Sequence, residues 1–323
     1  MGSDEGRTEI IAGPDDAGRR LDKVLRSALP GLGLSEIYGA LRRGAITVND
    51  ERAAPERRLS EGDRIGLPAS ARSRGAASSA EERPSHEGTG LESVRDLIVA
   101  ETEHLLFINK PRGLLSHGPG SVEERMRAAL ARRSAASLSF SPGPLHRLDR
   151  NTSGIMAFPA TAVGARAFAE LQRERRLRKL YVALLDGELG APAEWRDRIT
   201  RDEDSRTSAV SAEGDEAFAL ASPLMAAGGK SLALVELRTG LTHQIRVQSS
   251  SRGLPLSGDL KYGGRPSRGG YLLHAMSIEF PEPPFPDLPR RIVAPLPADA
   301  LGRLGALFGS VAVEEALSAF FRE

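Results

Sequence analysis

Leu145–Gly154 reads LHRLDRNTSG. A single carboxylate, Asp149, stands between Arg147 and Arg150, with His146 just upstream. Ser141, Pro142, Gly143 and Pro144 predict a turn before it, and Asn151 to Gly154 predict another after it. The apolar run Ile155 to Phe158 that follows suits a buried strand. Alone, such a loop reads as a surface ion pair, and those contribute little. Its significance comes from the segments that accompany it.

Upstream, Leu105 to Ile108 is strand-like and leads into NKPRG, Asn109–Gly113, a turn set by Pro111 and Gly113. Val122 to Ala131 is predicted as a helix. Downstream, Thr161 to about Arg176 reads as a helix with Phe168 and Leu171 on one face. Arg173, Arg175, Arg176, Arg178 and Lys179 crowd its end. They serve equally as charge set against the helix dipole or as a rim facing phosphate. Leu180 to Leu185 is a predicted strand holding Tyr181, and Ser231 to Leu237 is another. Then comes TGLTHQIRVQ, Thr239–Gln248, where Gly240 permits a turn and Thr242 is the expected cap of a short helix over 243–250. GDLKYGG, Gly258–Gly264, is a glycine-flanked loop, and YLLHAMSIEF, Tyr271–Phe280, alternates as a strand does. Residues 281–297 are proline-rich and extended, and one or two amphipathic helices are expected from about Ala298. Trp195 and the scattered histidines are read as structural.

A chain of 323 residues has room for two domains. The absence of cysteine excludes disulfides, thiolate metal sites and a cysteine nucleophile. The net charge of +1 means that any basic surface must be local. MGSDEGRTE lacks the layout of a signal peptide, and with Gly6 at the sixth position the myristoylation pattern fails. No stretch reaches the roughly 18 apolar residues of a membrane span. A cytoplasmic protein without membrane association is expected.

Residues 1–18 are polar and expected to form a flexible tail. Residues 19–68 form a compact unit with ten Lys/Arg against seven acids. Leu21, Val24, Leu25 and Ala28 fall at helical spacing, and Ser35 is the expected cap of a second helix that stops at Gly44. Ile46 and Val48 alternate before an Asn49-Asp50 turn, and Arg64 to Leu67 is a further short strand. RLDKVLRSALP, SEIYGALRRGAITVND and LSEGDRI make this unit resemble the small S4-type RNA-binding domain. On that resemblance, Arg20, Lys23, Arg42 and Arg43 are candidates to meet RNA phosphates. Residues 69–90, rich in Ser, Ala, Gly, Arg and Glu without periodicity, read as a flexible linker. A second domain is expected over 91–323.

Five segments recur in order in that second domain: NKPRG, HRLDRNTSG, KLYVALLDG, TGLTHQIRVQ with SGDLKYGG, and LLHA. Together they resemble the RluA-type pseudouridine synthases over nearly all of residues 91–297. The resemblance implies an α+β fold, a mixed and mainly antiparallel sheet with flanking helices and a central cleft. It implies isomerisation of uridine within RNA: the N-glycosidic bond breaks, the uracil turns, and a C-glycosidic bond forms. No metal and no organic cofactor is implied. The expected partner is RNA, above all large-subunit (23S) ribosomal RNA or pre-ribosomal particles, with the enzyme a monomer.

By the same resemblance Asp149 matches the essential aspartate and Arg246 the arginine that pairs with it. Tyr181 matches the tyrosine that stacks on the target base. Arg147 matches the arginine implicated in filling the gap left by the flipped base, and Leu273 an apolar residue of the pocket. The residue types fit the chemistry. A base must leave its stack before its glycosidic bond can be reached, an aromatic face can hold it there, and a planar cation suits the vacated space. The aspartate must be ionised to attack the ribose or take its C2′ proton, and a bidentate arginine would favour that state. A glycosidase generally places two carboxylates, and the matching motifs are expected to supply one. Leu241 stands where the family usually has arginine, Gln248 where histidine is common, and Phe158-Pro159 alters the usual end of the central strand. The alternatives are the same reaction on tRNA or another RNA, or a non-catalytic RNA-binding or ribosome-assembly protein on this fold. The intact Asp149, Tyr181 and Arg246 argue against the last.

Overall fold

The computed structural model describes residues 8–68, 94–130 and 137–318. The linker expected over 69–90 and residues 1–7 of the expected tail lie outside these. The chain divides into two compact units. One comprises Met1–Glu92, Met126–Gly143 and Pro159–Gly164, the other Ser93–Arg125, Pro144–Phe158 and Ala165–Glu323.

In the first unit, α1 (Leu21–Ala28) and α2 (Leu34–Arg43) pack on a four-stranded sheet. Its strands are β1 (Thr8–Ile11), β2 (Thr47–Val48), β3 (Glu51–Arg52) and β4 (Arg64–Leu67), in the order β1-β4-β2-β3. Asn49 and Asp50 both take positive φ, the twist a two-residue hairpin demands between β2 and β3. Two expectations are corrected here. Ser35 is the second residue of α2, not its cap, and the Glu36 carboxylate accepts the Gly33 N–H instead (2.8 Å). Residues 8–18 are not a loose tail. β1 pairs antiparallel with β4, and Asp16 is fully buried.

Asp16 also ties residues 137–139 into the first unit. Its carboxylate accepts from the Leu138 N–H (2.9 Å) and from the hydroxyls of Ser137 (3.1 Å) and Ser139 (2.5 Å), and Leu138 packs on the core of the first unit. Asp15 in turn accepts the Ala162 N–H at 2.8 Å.

The second unit is built on a ten-stranded mixed sheet. In chain order its strands are β5 (Ile98–Glu101), β6 (Leu105–Lys110), β7 (Ser153–Pro159), β8 (Arg178–Asp186), β9 (Ala193–Asp202), β10 (Thr207–Val210), β11 (Asp215–Ala227), β12 (Lys230–Leu237), β13 (Leu273–Glu279) and β14 (Arg291–Val293). Their order is β10-β9-β11-β12-β8-β13-β7-β6-β5, with β14 also on β13. β13 runs parallel to β7 and antiparallel to β8. Its helices are α4 (Ala162–Arg173), α5 (Gln244–Ser251), α6 (Ala298–Phe308) and α7 (Ser310–Ser318), while α3 (Val122–Leu130) falls mostly in the first unit.

Alternation along β8 divides its side chains between two faces. Val182 and Leu184 join Leu232 and Met276 under Leu304, Val313 and Leu317 of α6 and α7. Tyr181 faces the other way, into a cleft. On the β6 side, Phe107 and Phe168 each meet Phe280 edge to face.

His274 on β13 is a fully satisfied interior histidine. Its Nε2 donates to the Ala294 carbonyl (3.0 Å), so its Nδ1 accepts from Ser153 Oγ (2.9 Å). Burial drives its pKa from 6.5 down to about 4, against the pull of the Ala294 bond. The folded state therefore holds a neutral ring whose benefit is present above pH 6.5 and is lost as pH falls through 4. That drop corresponds to about 3 kcal/mol. His274→Asn, which retains a donor and an acceptor, is expected to flatten the decline of urea stability between pH 7 and pH 4. An unchanged decline would remove His274 as a source of acid lability.

Candidate active site

Asp149 lies in the loop before β7, and three neighbours hold that loop from below. Lys110, at the end of β6, is fully buried and donates to the carbonyls of Pro111 (2.9 Å), Leu114 (2.9 Å) and Arg150 (3.3 Å). Burial lowers its pKa to about 8, and the charge of Asp149 opposes that fall. Ser116 Oγ donates to the Leu148 carbonyl (2.7 Å) while accepting the Leu148 N–H (3.0 Å). His146 Nε2 accepts the Ala157 N–H (3.1 Å), and burial holds the ring neutral, with a pKa near 3. NKPRG and HRLDRNTSG thus interlock through the backbone. Gly154 completes the junction: its φ is +116°, and a Cβ there would stand 2.2 Å from the Ala275 carbonyl oxygen.

α5 brings Arg246 to Asp149. The helix is buried from Gln244 to Ser249, and its polar side chains are matched one by one. Gln248 Nε2 donates to Asp197 Oδ2 (2.7 Å) and to the Trp195 carbonyl (3.0 Å), which accounts for glutamine at a position where the family pattern favours histidine. Gln244 Oε1 accepts the Leu241 N–H (3.1 Å), while Thr242 makes no cap. The residue before the helix is His243, with φ at +59°. Leu241 is half-buried against Ile199, Ala217 and Val247, so an apolar contact occupies the position where the family usually has arginine.

Arg246 NH1 donates to Asp149 Oδ2 at 3.1 Å. The expected bidentate pairing with Asp149 is corrected: the fork of Arg246, Nε and NH2, grips Asp259 at 2.7 and 2.9 Å. Burial opposes the guanidinium charge, and the bonds to Asp259 outweigh it, lifting Arg246 above the usual arginine range. The rings of Tyr262 and Tyr271 flank the guanidinium, each 4.7 Å away. A second carboxylate is therefore present, in SGDLKYGG, contrary to the expectation of one. Both its oxygens are engaged and it is 2% exposed, so it is no second general acid.

Arg147, Asp149, Tyr181, Arg246 and Leu273 line one cleft of about 720 Å³. Asp149 is 18% exposed at its floor, while Tyr181 and Leu273 are buried in the wall. Burial, reinforced by the charge of Asp149, raises the Tyr181 hydroxyl above its ordinary value and keeps it neutral. Of the five basic residues at the end of α4, Arg173, Arg175 and Lys179 line the cleft. Arg176 pairs with Glu174 and Glu282, and Arg178 with Glu236 and Glu279. Burial brings Lys179 down to about 8.

His243 is a cleft residue that sequence reasoning set aside as structural. Tyr262 OH accepts the Ser208 N–H (2.9 Å) and shares a further hydrogen bond with His243 Nδ1 (2.7 Å). His243 Nε2 lies 3.7 Å from Asp149 Oδ2. Its place in THQIRV, next to the arginine, was the available signal.

In the first unit, Lys23, Arg42 and Arg43 are exposed. Arg20 is tied to Asp22 by two hydrogen bonds (2.8 and 3.1 Å), and that bond above all lowers Asp22 to about 2.

The RNA pseudouridylate synthase family matches residues 104–251, and the S4 domain matches residues 19–65. The chain belongs to the RNA pseudouridylate synthases and carries an S4 domain in front. Ribosomal large subunit pseudouridine synthase C of Salmonella typhi is 31% identical over 324 residues, 92% of this chain and 95% of that one. The protein of the same name from Pasteurella multocida is 32% identical, with 91% of each chain covered. Among solved structures, human RNA pseudouridylate synthase domain containing 4 shares the fold with a TM-score of 0.53 at 22% identity, over 70% of this chain and 95% of that one. No helix among the described residues is long and apolar enough to cross a membrane.

Proposed function

We propose that this chain isomerises uridine to pseudouridine in large-subunit (23S) ribosomal RNA or its precursor particles, as a cytoplasmic monomer needing no cofactor. The observation that carries the reading is the Asp149–Arg246 pair, 3.1 Å apart on the floor of a cleft with Arg173, Arg175 and Lys179 on its rim. The names of the relatives support large-subunit RNA as the substrate.

In this reading the target base leaves its stack and lies against Tyr181, with Leu273 as apolar wall. Arg147, exposed at the mouth, takes the vacated place in the RNA. Asp149, hydrogen-bonded to Arg246, attacks the ribose or takes its C2′ proton. The N1–C1′ bond breaks, the uracil turns, C5 bonds to C1′ as Asp149 leaves the ribose or returns the C2′ proton, the C5 proton is lost to solvent, and N1 takes up a proton. Residues 19–68 act as an RNA-binding module through Lys23, Arg42, Arg43 and, less freely, Arg20. Residues 69–90 tether that module to a catalytic domain over 91–323.

Mapping pseudouridine in all cellular RNA, with and without the gene for this chain, tests the substrate. The expected result is loss at one or a few 23S positions, restored by the intact protein. Loss confined to tRNA would move the substrate and keep the chemistry.

A further inference from the structure

An isolated arginine meets a carboxylate best with two parallel N–H groups. Here Asp259 takes that fork, and Asp149 receives one N–H, on Oδ2. Among the described residues no hydrogen bond reaches Asp149 Oδ1. The Tyr262 and Tyr271 rings pack against the guanidinium, each with its centroid 4.7 Å from Cζ. Asp259 is itself anchored. Its carbonyl accepts the N–H groups of Tyr262 (3.0 Å) and Gly264 (2.9 Å), and its own N–H reaches the Leu256 carbonyl (2.9 Å). Gly258 before it has φ +95°, with its Cα so close to Gly270 that a Cβ would stand 2.4 Å from the Gly270 carbonyl carbon.

We propose that Asp259 is a positioning residue: by occupying the fork of Arg246 it limits that arginine to one hydrogen bond on Asp149 Oδ2 and leaves Oδ1 free to meet the ribose. The proposal rests on the reading of Asp149 as the reacting carboxylate. The consequence is electrostatic as well as geometric. A fork on Asp149 would engage both oxygens and quench the carboxylate as nucleophile or base. A single end-on bond leaves one oxygen uncommitted. Asp259 also offsets part of the positive charge that Asp149 would otherwise face alone.

The test is a double-mutant cycle on single-turnover tritium release from C5-labelled uridine in RNA, with RNA affinity and melting temperature measured on each variant. Asp259→Glu keeps the buried charge pair and shifts the fork by one methylene. It is expected to fold normally, bind RNA as the parent does, and lose about 10²-fold in rate, as a misplacement near 1 Å can. Asp259→Asn is expected to lose at least as much. In an Arg246→Lys background there is no fork to hold, so adding Asp259→Asn is expected to change the rate no further. Full rates in both single variants would overturn the proposal. So would a loss that multiplies onto that of Arg246→Lys, or one explained by a smaller folded fraction. Should Asp259→Asn not fold, Asp259→Glu alone and combined with Arg246→Lys carries the test. Asp149→Asn runs in parallel: tritium release by that variant would end the reading of Asp149, while the cycle still reports whether Asp259 acts through Arg246.

Discussion

Asp149→Asn is expected to leave no measurable pseudouridine formation while the protein folds and binds RNA as before. The substitution keeps the size of the side chain and the acceptor for Arg246 NH1. It removes the charge that attack on the ribose or removal of a C2′ proton requires. Little in the fold depends on that charge. The loop is held by Lys110 and Ser116 through backbone carbonyls, not through the carboxylate. Arg246 keeps its fork on Asp259, so the change does not strand a buried cation. Tritium release from C5-labelled uridine, at protein well above the RNA dissociation constant, separates chemistry from binding. Release at the parental rate would exclude Asp149 as the reacting group.

The second large effect is expected at Tyr181. Stacking on an aromatic face is worth about 1–3 kcal/mol per base, so Tyr181→Ala should weaken binding of RNA with a non-isomerisable uridine analogue at the target by that amount. It also empties a buried site beside Leu273, so some stability goes with it. Tyr181→Phe keeps the face and fills the space. Burial and the neighbouring Asp149 hold the hydroxyl neutral, so removing it leaves the charge of the cleft unchanged. Phe should therefore bind as the parent does, and any fall in its turnover measures proton handling by the hydroxyl. Equal binding by the Ala and Phe variants would rule out stacking.

The candidate site residues were legible because they break a local pattern. Asp149 and Arg246 are charges in short motifs otherwise committed to turns and apolar runs, and Tyr181 is an aromatic in a strand of aliphatics. Their supports were harder to see. Asp259 sits in a glycine-flanked loop where an acid reads as surface, and nothing in its spacing says that its partner lies thirteen residues earlier. Tyr271 looks like the first residue of a strand, although its ring faces Arg246. Strands with little buried surface were missed altogether. β9 alternates buried Trp195 and Ile199 with Arg196, Arg198 and Arg201, a pattern dominated by its charges. β1 is half exposed throughout, so Thr8–Ile11 merges with the polar residues around it. Asp16 illustrates the converse: a buried carboxylate satisfied by hydroxyls and an amide carries no apolar signature.

The strand order bears on synthesis of the chain on the ribosome. β8 lies between β12 and β13, and both are made after it. Its aliphatic run therefore emerges with two unpaired edges, a template for sticking to other chains. At 5–20 residues per second, β13 follows roughly five to twenty seconds later. Leu273 is made only with β13, so the cleft that Tyr181 lines is not complete before that strand is in place.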